Sequence, residues 1–429
     1  MGKEFYLVSD LHFGGDGQLQ ICDFAEEFIV FLQELAQKGE ETELIIAGDT
    51  FGFWELTTVE GTLQLDEIIK HHLGIFEQLK QTGAKVQITM MVGNHDYDLA
   101  CDSEYAEKLR EYNIRLDTSL SLTRQIGQKK IWIEHGQQID PFNAAPAYGN
   151  PFALPPGFFI TKSFVSGASL YSVFGASDWL KDIRSVDVRS IPDWLISNYF
   201  YNEMNVVLRW LMLPFLLLLT VTGFALFGQL LKILGIFDVN YLLDNPLTRA
   251  LGLFGDVLRW ILLISMFVWF FIFMVSIPLY LIYRDVRSTL SRFQIFPHFK
   301  SAPTNEANNI YLEHARQIFK SDPEVCAYIF GHTHDAFLVK DADGRAIINT
   351  GTWLKILRRV KVRFGLLPAV YFPTFRLNYF KFYEENERVT IDYIEVHKEP
   401  EEKLTLLQRF LVIGRKPESG KLIPEKTIL

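Results

Sequence analysis

The stretch Val86-Gln87-Ile88-Thr89-Met90-Met91-Val92-Gly93-Asn94-His95-Asp96 runs from a largely apolar, β-prone segment straight into glycine, amide, imidazole and carboxylate. The same juxtaposition recurs outward from it in both directions. Phe5–Val8 leads to Ser9-Asp10, with His12 two residues further on, and Leu44–Ala47 leads to Gly48-Asp49. Lys130–Ile133 ends at Glu134-His135, and Val325–Phe330 ends at Gly331-His332-Thr333-His334. Phe24 to Leu35, Leu63 to Leu79 and Asn305 to Phe319 space their apolar residues at the helical period. This alternation predicts an α/β fold, in which ligands collect beyond the carboxyl ends of strands. Ala336–Val339 and Arg345–Ile348 flank a turn at Asp341-Ala342-Asp343-Gly344 and predict a hairpin, and Leu377–Tyr383 with Val389–Val396 predicts a second.

Composition narrows the partners. Against 51 Asp+Glu the chain has 42 Lys+Arg, a net charge of −9 over 429 residues. That balance excludes disorder, and it argues against a nucleic-acid partner, which calls for a basic face. Cys22, Cys101 and Cys326 are too few and too widely spaced for a disulfide framework or a zinc ribbon. They read as small hydrophobes in a reducing compartment. Met1-Gly2-Lys3-Glu4 passes directly into a strand, so no cleaved signal peptide is expected. Tyr6 stands where myristoylation wants Ser or Thr.

Between the two α/β stretches the chain changes character. Positions 140–180 are rich in Pro, Gly, Phe and Ser and read as irregular. Two charge-free apolar runs follow, Trp210–Leu231 of 22 residues and Trp260–Tyr283 of 24. As helices either would cross the ~30 Å hydrocarbon core of a bilayer. Trp210, Trp260, Tyr280 and Tyr283 stand near the run ends, as interfacial anchors do. The alternative is a helical hairpin buried in a soluble insertion, which runs without a polar face make difficult. The outer flanks carry Arg189, Arg209, Arg284, Arg287, Arg292 and Lys300, whereas the connector carries Lys232, Arg249 and Arg259. The excess predicts a multi-pass protein of the cytoplasmic (inner) membrane with both α/β halves on the cytoplasmic side.

The expected organisation is a first half at 1–140, an insertion at 141–303 with spans near 210–231 and 260–283, a second half at 304–397, and a tail at 398–429 that reads as a surface appendage. Two apolar stretches, Pro151 to Phe159 and Leu366 to Pro373, are candidates for contact with the lipid bilayer or for packing. The second follows Arg358, Arg359, Lys361 and Arg363, a pairing of charge and apolar surface suited to anionic lipid. The insertion is also a candidate homo-oligomer surface.

Asp10, His12, Asp49, Asn94, His95, His135, His332 and His334 all fall at strand ends. Imidazole and carboxylate donors suit divalent manganese, iron or zinc, with manganese favoured, and a two-metal site wants a carboxylate that bridges both ions. Asp10-x-His12 offers O and N donors two residues apart, and His332-x-His334 offers two imidazoles able to reach adjacent ions.

Together Asp10-x-His12, Gly48-Asp49, Gly93-Asn94-His95-Asp96, His135-Gly136 and Gly331-His332-Thr333-His334 resemble, in order, the five motif blocks of the calcineurin-like metallophosphoesterase superfamily. Asn349-Thr350-Gly351-Thr352-Trp353 is similar to that family's segment after the last block. The resemblance implies a four-layer α/β/β/α sandwich of two mixed sheets, here interrupted by a two-helix transmembrane insertion. It implies one metal held by Asp10, His12, Asp49 and His334, and a second held by Asp49, Asn94, His135 and His332. It implies further that His95 protonates the leaving oxygen, with Asp96 orienting it, while a metal-bridging hydroxide attacks phosphorus. Gly48 to Glu55 is also similar to bacterial UDP-2,3-diacylglucosamine pyrophosphatases, which points to lipid-linked phosphoesters or pyrophosphates as substrates. The expected function is a membrane-anchored dinuclear phosphoesterase. The alternatives are a phosphodiesterase for soluble or cyclic nucleotides with the helices as a tether, and a non-catalytic membrane scaffold.

Overall fold

The computed structural model describes residues 2–14, 22–56, 58–163, 182, 185–186, 190–236, 249–292, 304–363, 365, 367–399, 404–417 and 420–429. Residues 164–180 of the stretch read as irregular lie outside these, as do Arg189, residues 237–248 of the connector, Lys300 and Leu366. Met1–Asn198, Glu306–Arg363 and Ala369–Leu429 form one compact unit, and Tyr199–Asn305 with Phe364–Pro368 form another.

In the first unit the chain runs β1 (Glu4–Val8), α1 (Ala25–Leu35), β2 (Thr42–Ala47), α2 (Leu63–His71), α3 (Leu73–Gly83), β3 (Gln87–Met91), α4 (Glu104–Arg110), β4 (Ile114–Asp117), β5 (Ser121–Ile126) and β6 (Lys129–Glu134). It reaches α5 (Ile191–Asn198) and, beyond the second unit's helices α6 (Val206–Ile233) and α7 (Leu253–Arg292), resumes with α8 (Thr304–Ser321). Then come β7 (Val325–Phe330), β8 (Phe337–Lys340), β9 (Ala346–Asn349), β10 (Ile356–Val360), β11 (Val370–Thr374), β12 (Leu377–Glu385), β13 (Arg388–Val396), α9 (Leu406–Leu411) and β14 (Lys426–Ile428).

Two mixed sheets carry the unit. One has the order β14-β13-β12-β1-β2-β3-β4, and the other β5-β6-β7-β9-β8. In the first, β1 to β4 are parallel while β12 pairs antiparallel with β1. Period-2 alternation divides each strand between two interfaces. Leu7, Ile45 and Met91 from one sheet meet Ile131, Ile133, Ile329 and Ile348 from the other. The alternate residues Val8, Leu44, Ile46 and Ile88 face Phe28, Phe31, Leu32 and Leu35 of α1 and Phe76 and Leu79 of α3. On the far side Tyr328, Phe330 and Ile347 pack on Tyr311, Ala315 and Phe319 of α8. The result is helix on sheet on sheet on helix, the expected α/β/β/α sandwich.

Several expectations are corrected. The helix expected over Leu63 to Leu79 is two helices, parted at His72, whose ψ of 34° leaves the helical region. Over residues 367–373 the second apolar stretch takes the packing alternative. Leu367, Val370 and Tyr371 are buried, and Val370–Thr374 pairs antiparallel with β10. The tail is no appendage, because β14 adds to the edge of the seven-stranded sheet beside β13. Cys326 is buried, while Cys22 and Cys101 are half-buried thiols.

The second unit holds two helices long and apolar enough to cross a membrane, Val206–Ile233 with mean hydropathy 2.2 and Leu253–Asp285 with 2.5. A core helix of a soluble protein would be mostly buried, whereas 6% and 11% of their most apolar windows are. They touch each other through small and polar groups. Thr222 Oγ1 lies 2.8 Å from Ser265 Oγ, and the Trp269 indole donates to the Leu219 carbonyl at 2.8 Å. Gly223 makes room for that indole, since a Cβ there would stand 2.9 Å from the Trp269 ring. Small residues of this kind bring apolar helices close.

Candidate metal centre

The polar residues that end β1, β2, β3, β6 and β7 converge in one cluster. Their backbone is unusual. Of eight non-glycine residues with positive φ among the described residues, five are Asp10, His12, Asp49, His332 and His334. Left-handed backbone is uncommon outside glycine, though Asp and His tolerate it better than most. Held at five positions in one cluster, it marks a site whose surroundings over-determine side-chain direction.

The glycines before the donors have a steric reason. Gly48 has φ +88°, and a Cβ there would stand 2.6 Å from the His135 ring. At Gly93 a Cβ would collide with the Asp49 carboxylate and amide. Each glycine therefore lets the next strand end approach.

Two donor groups form around Asp49. Asp10, His12, Asp49 and His334 place one ligand atom each within 4.8 Å of the others, and so do Asp49, His135 and His332. In the first group His334 Nε2 lies 3.1 Å from Asp10 Oδ1 and 3.1 Å from His12 Nε2, and His12 Nε2 lies 3.7 Å from Asp49 Oδ2. In the second, His135 Nε2 is 3.1 Å from Asp49 Oδ2 and 3.3 Å from Asn94 Oδ1. His135 Nδ1 faces the Ala47 carbonyl at 2.9 Å, which turns Nε2 toward the cluster. The seven residues expected as metal ligands are thus brought together, from both halves of the interrupted chain.

Asn349 to Thr352 supports them from behind. Asn349 Nδ2 donates to the Gly331 carbonyl at 2.6 Å, and Thr352 Oγ1 donates to the Asp10 carbonyl at 2.7 Å. Thr350 Oγ1 lies 2.6 Å from Ser9 Oγ, which donates to Asp10 Oδ2.

The electrostatics follow from burial and closeness. Burial raises the Asp49 pKa, but His135 and His95 outweigh it and hold the carboxylate well below its ordinary range. Asp10 is likewise lowered, by His334 against burial. Burial drives His12 down to about 3, so it is a neutral imidazole with a lone pair to offer a cation. His135, pulled down by burial, is raised by Asp49 to about 9. Buried carboxylates drawing protons onto imidazole are what a cation at the same place would replace. The donor set therefore fits two divalent ions.

Asp96 has another place than the one expected beside His95. Its buried carboxylate accepts from three main-chain amides, Gly93 N at 2.6 Å, Thr50 N at 2.7 Å and Phe51 N at 3.3 Å, and so ties the β2 and β3 ends together. The carboxylate near His95 is Glu55, whose Oε1 is 3.0 Å from His95 Nδ1. His95 also lies on the Trp54 ring, centroids 4.6 Å apart, and its main-chain N–H donates to Asp49 Oδ1 at 2.8 Å. A second residue missed in the sequence is Asp140, whose Oδ2 is 3.1 Å from His332 Nε2. Burial raises the Asp140 pKa, but His332 outweighs this and holds it below the usual carboxylate value.

Residues 4–205 match the family model of the calcineurin-like phosphoesterases. Over that stretch the chain is similar to the calcineurin-like phosphoesterases. The match ends before His332 and His334, yet the fold returns both to Asp10 and Asp140. Among solved structures the phosphoesterase is similar to a conserved uncharacterized protein from Streptococcus pneumoniae TIGR4, described as a predicted phosphoesterase, at 9% identity, over 92% of this chain and 89% of that one, with TM-score 0.27. It is also similar to a Vps29 double mutant from Entamoeba histolytica, at 10% identity over 92% and 93% of the chains, with TM-score 0.27. A dimetal phosphatase from Danio rerio shares 11% identity over 91% and 95%, with TM-score 0.32. Comparison with curated proteins gives no match. The phosphoesterase is metal-dependent, in line with the family match and with donor groups that could hold metal ions.

Proposed function

We propose that this phosphoesterase is anchored in the cytoplasmic membrane and hydrolyses a lipid-linked phosphoester or pyrophosphate on the cytoplasmic side. The observation that carries the chemistry is the sharing of Asp49 by both donor groups. Asp10, His12, Asp49 and His334 would hold one divalent ion, and Asp49, Asn94, His135 and His332 the other. Bound there, the two ions supply an activated water near neutral pH and neutralise phosphate oxygens.

The remaining work falls to the chain itself. The His95 amide fixes the shared carboxylate by its bond to Asp49 Oδ1. With Glu55 beside Nδ1, His95 Nε2 is the nitrogen that hands a proton to the departing oxygen. An apolar path supports a lipid-bearing substrate. Trp54 against His95 is followed by Phe158 at 5.7 Å and Phe159 at 5.3 Å, with Phe152 92% exposed and Phe159 58% exposed. The two apolar helices supply the anchor.

The test is activity of the metal-reconstituted full chain on phosphomonoesters, diesters and nucleotide-diphosphate lipids, each with and without lipid presentation. Rates that rise with lipid presentation support the proposal. Equal rates on soluble nucleotides support a tethered nucleotide phosphodiesterase instead. Asp49→Asn and His95→Ala are each expected to cut turnover at least about 100-fold, roughly 2.7 kcal/mol of transition-state stabilisation. Near-wild-type hydrolysis by either variant would remove the basis of the mechanism. About two equivalents of Mn, Fe or Zn per chain, lost with activity on chelation, are expected as well.

A further inference from the structure

A cavity of about 100 Å³ opens beside Asn94, lined by Trp54, Tyr97, Leu120, Gln137, Gln138 and Tyr148 together with small residues. Its lining has no charged side chain. Four of the lining residues carry a buried polar atom without a hydrogen-bond partner among the described residues: Trp54 Nε1, Gln137 Oε1, Gln138 Oε1 and the Tyr148 hydroxyl. The two amides are held by their other ends. Gln137 Nε2 donates to the Val92 carbonyl at 3.3 Å and Gln138 Nε2 donates to Glu134 Oε2 at 2.6 Å, which leaves each oxygen as an acceptor. Burial raises the pKa of the Tyr148 hydroxyl, so it remains a donor at neutral pH. Buried polar groups are ordinarily paired. Four unpaired ones on residues that line one cavity beside Asn94 describe a subsite whose occupant supplies the partners once these side chains turn toward it.

We propose that this cavity binds the uncharged, hydroxyl-rich group esterified to the substrate phosphate, a sugar ring or a glycerol unit. The inference rests on the phosphoesterase reading of the adjoining centre and names the alcohol it acts on. Each hydroxyl both donates and accepts, and so answers the two amide oxygens as well as the indole and phenol donors. The Trp54 and Tyr97 rings offer apolar faces to the C–H side of such a group. With no cation in the lining, a carboxylate or second phosphate gains nothing there, and the volume limits the occupant to about one ring.

Methylphosphonate monoesters of ethanol, glycerol, glucose (through O6) and uridine (through O5′) carry the same single charge and differ only in the alcohol. They are tested as inhibitors of bis(4-nitrophenyl) phosphate hydrolysis by the metal-loaded full chain in detergent, and by calorimetric titration of the same protein. The glucosyl or glyceryl ester is expected to bind at least about tenfold more tightly than the ethyl ester, and the tighter of the two separates sugar from polyol. Tyr148→Phe and Gln138→Met are each expected to reduce that preference about tenfold, as loss of one buried hydrogen bond does. Equal affinity for all esters, preference for the uridyl ester alone, or a preference that survives in both variants overturns the inference. Absence of nitrophenyl ester hydrolysis would instead count against the phosphoesterase reading, while calorimetry still reads the cavity's preference.

Discussion

At the scale of single residues, the least expected finding is the division of labour between Asp96 and Glu55. The Gly-Asn-His-Asp block puts a carboxylate next to His95, yet Asp96 is taken up by three amides of the β2 and β3 ends. Burial, with the nearby Asp49 charge, raises its pKa to about 7. Glu55, 40 positions before His95, is the carboxylate beside the ring. Glu55 should therefore act as a positioning residue for proton transfer. Glu55→Gln keeps the size and removes the charge, and it is expected to lower kcat about tenfold with little change in KM. Steady-state kinetics on one substrate decides this: a fall in KM-related binding with kcat intact would assign Glu55 to substrate contact. Glu55 and Asp140 were not legible as site residues because their meaning depends on partners distant in the chain. Asp140 meets His332 across 192 positions. The seven residues expected as metal ligands were legible because each stands within a few residues of the end of an apolar strand.

At the scale of elements, the joint between the two sheets contains one buried charge. Glu43 on β2 meets Arg124 on β5 through Nη2 at 2.6 Å and Nε at 2.9 Å, and also accepts from Thr89 at 2.7 Å. Burial raises the Glu43 pKa, but Arg124 and Thr89 outweigh it and leave it below 4.5. A lowered folded pKa means that the pair's stabilisation is complete above the ordinary Glu value and is lost as pH falls through the folded one. Arg124→Met leaves Glu43 with Lys3, 3.0 Å away, and removes its two guanidinium bonds, which should cost about 2 kcal/mol at pH 7. Thermal unfolding should show a Tm gap of several degrees at pH 7 that closes as the pH falls through the lowered Glu43 value. A gap independent of pH would remove the ion pair as its cause. Elements with a clean period were legible before the structure. Those that were missed have mixed exposure, as β5 does, or are short and lean on a distant partner, as β14 does on β13. The β10–β11 pair was hidden by its charges and Pro373, and the α2–α3 break by a period that continues through His72.

At the scale of the whole molecule, the apolar excess in an otherwise soluble composition is concentrated in α6 and α7. If both helices cross the bilayer, the chain returns to the side it left, and the connector between them lies opposite. The cations argue for which side is which, with six on the outer flanks and three on the connector counted over Arg189 to Lys300. Ile236, 58% exposed at the end of α6, and Leu422, 99% exposed in the C-terminal segment, are suitable reporters. In a variant with Cys22, Cys101 and Cys326 replaced, Ile236→Cys should react with a membrane-impermeant maleimide in right-side-out vesicles and be protected in inverted ones. Leu422→Cys should do the reverse. Labelling of both from one side would overturn the two-span reading, because in that reading a single crossing separates the connector from each terminus. Opposite labelling with the sides exchanged would keep both spans and place the phosphoesterase centre outside, where a cytoplasmic substrate could not reach it.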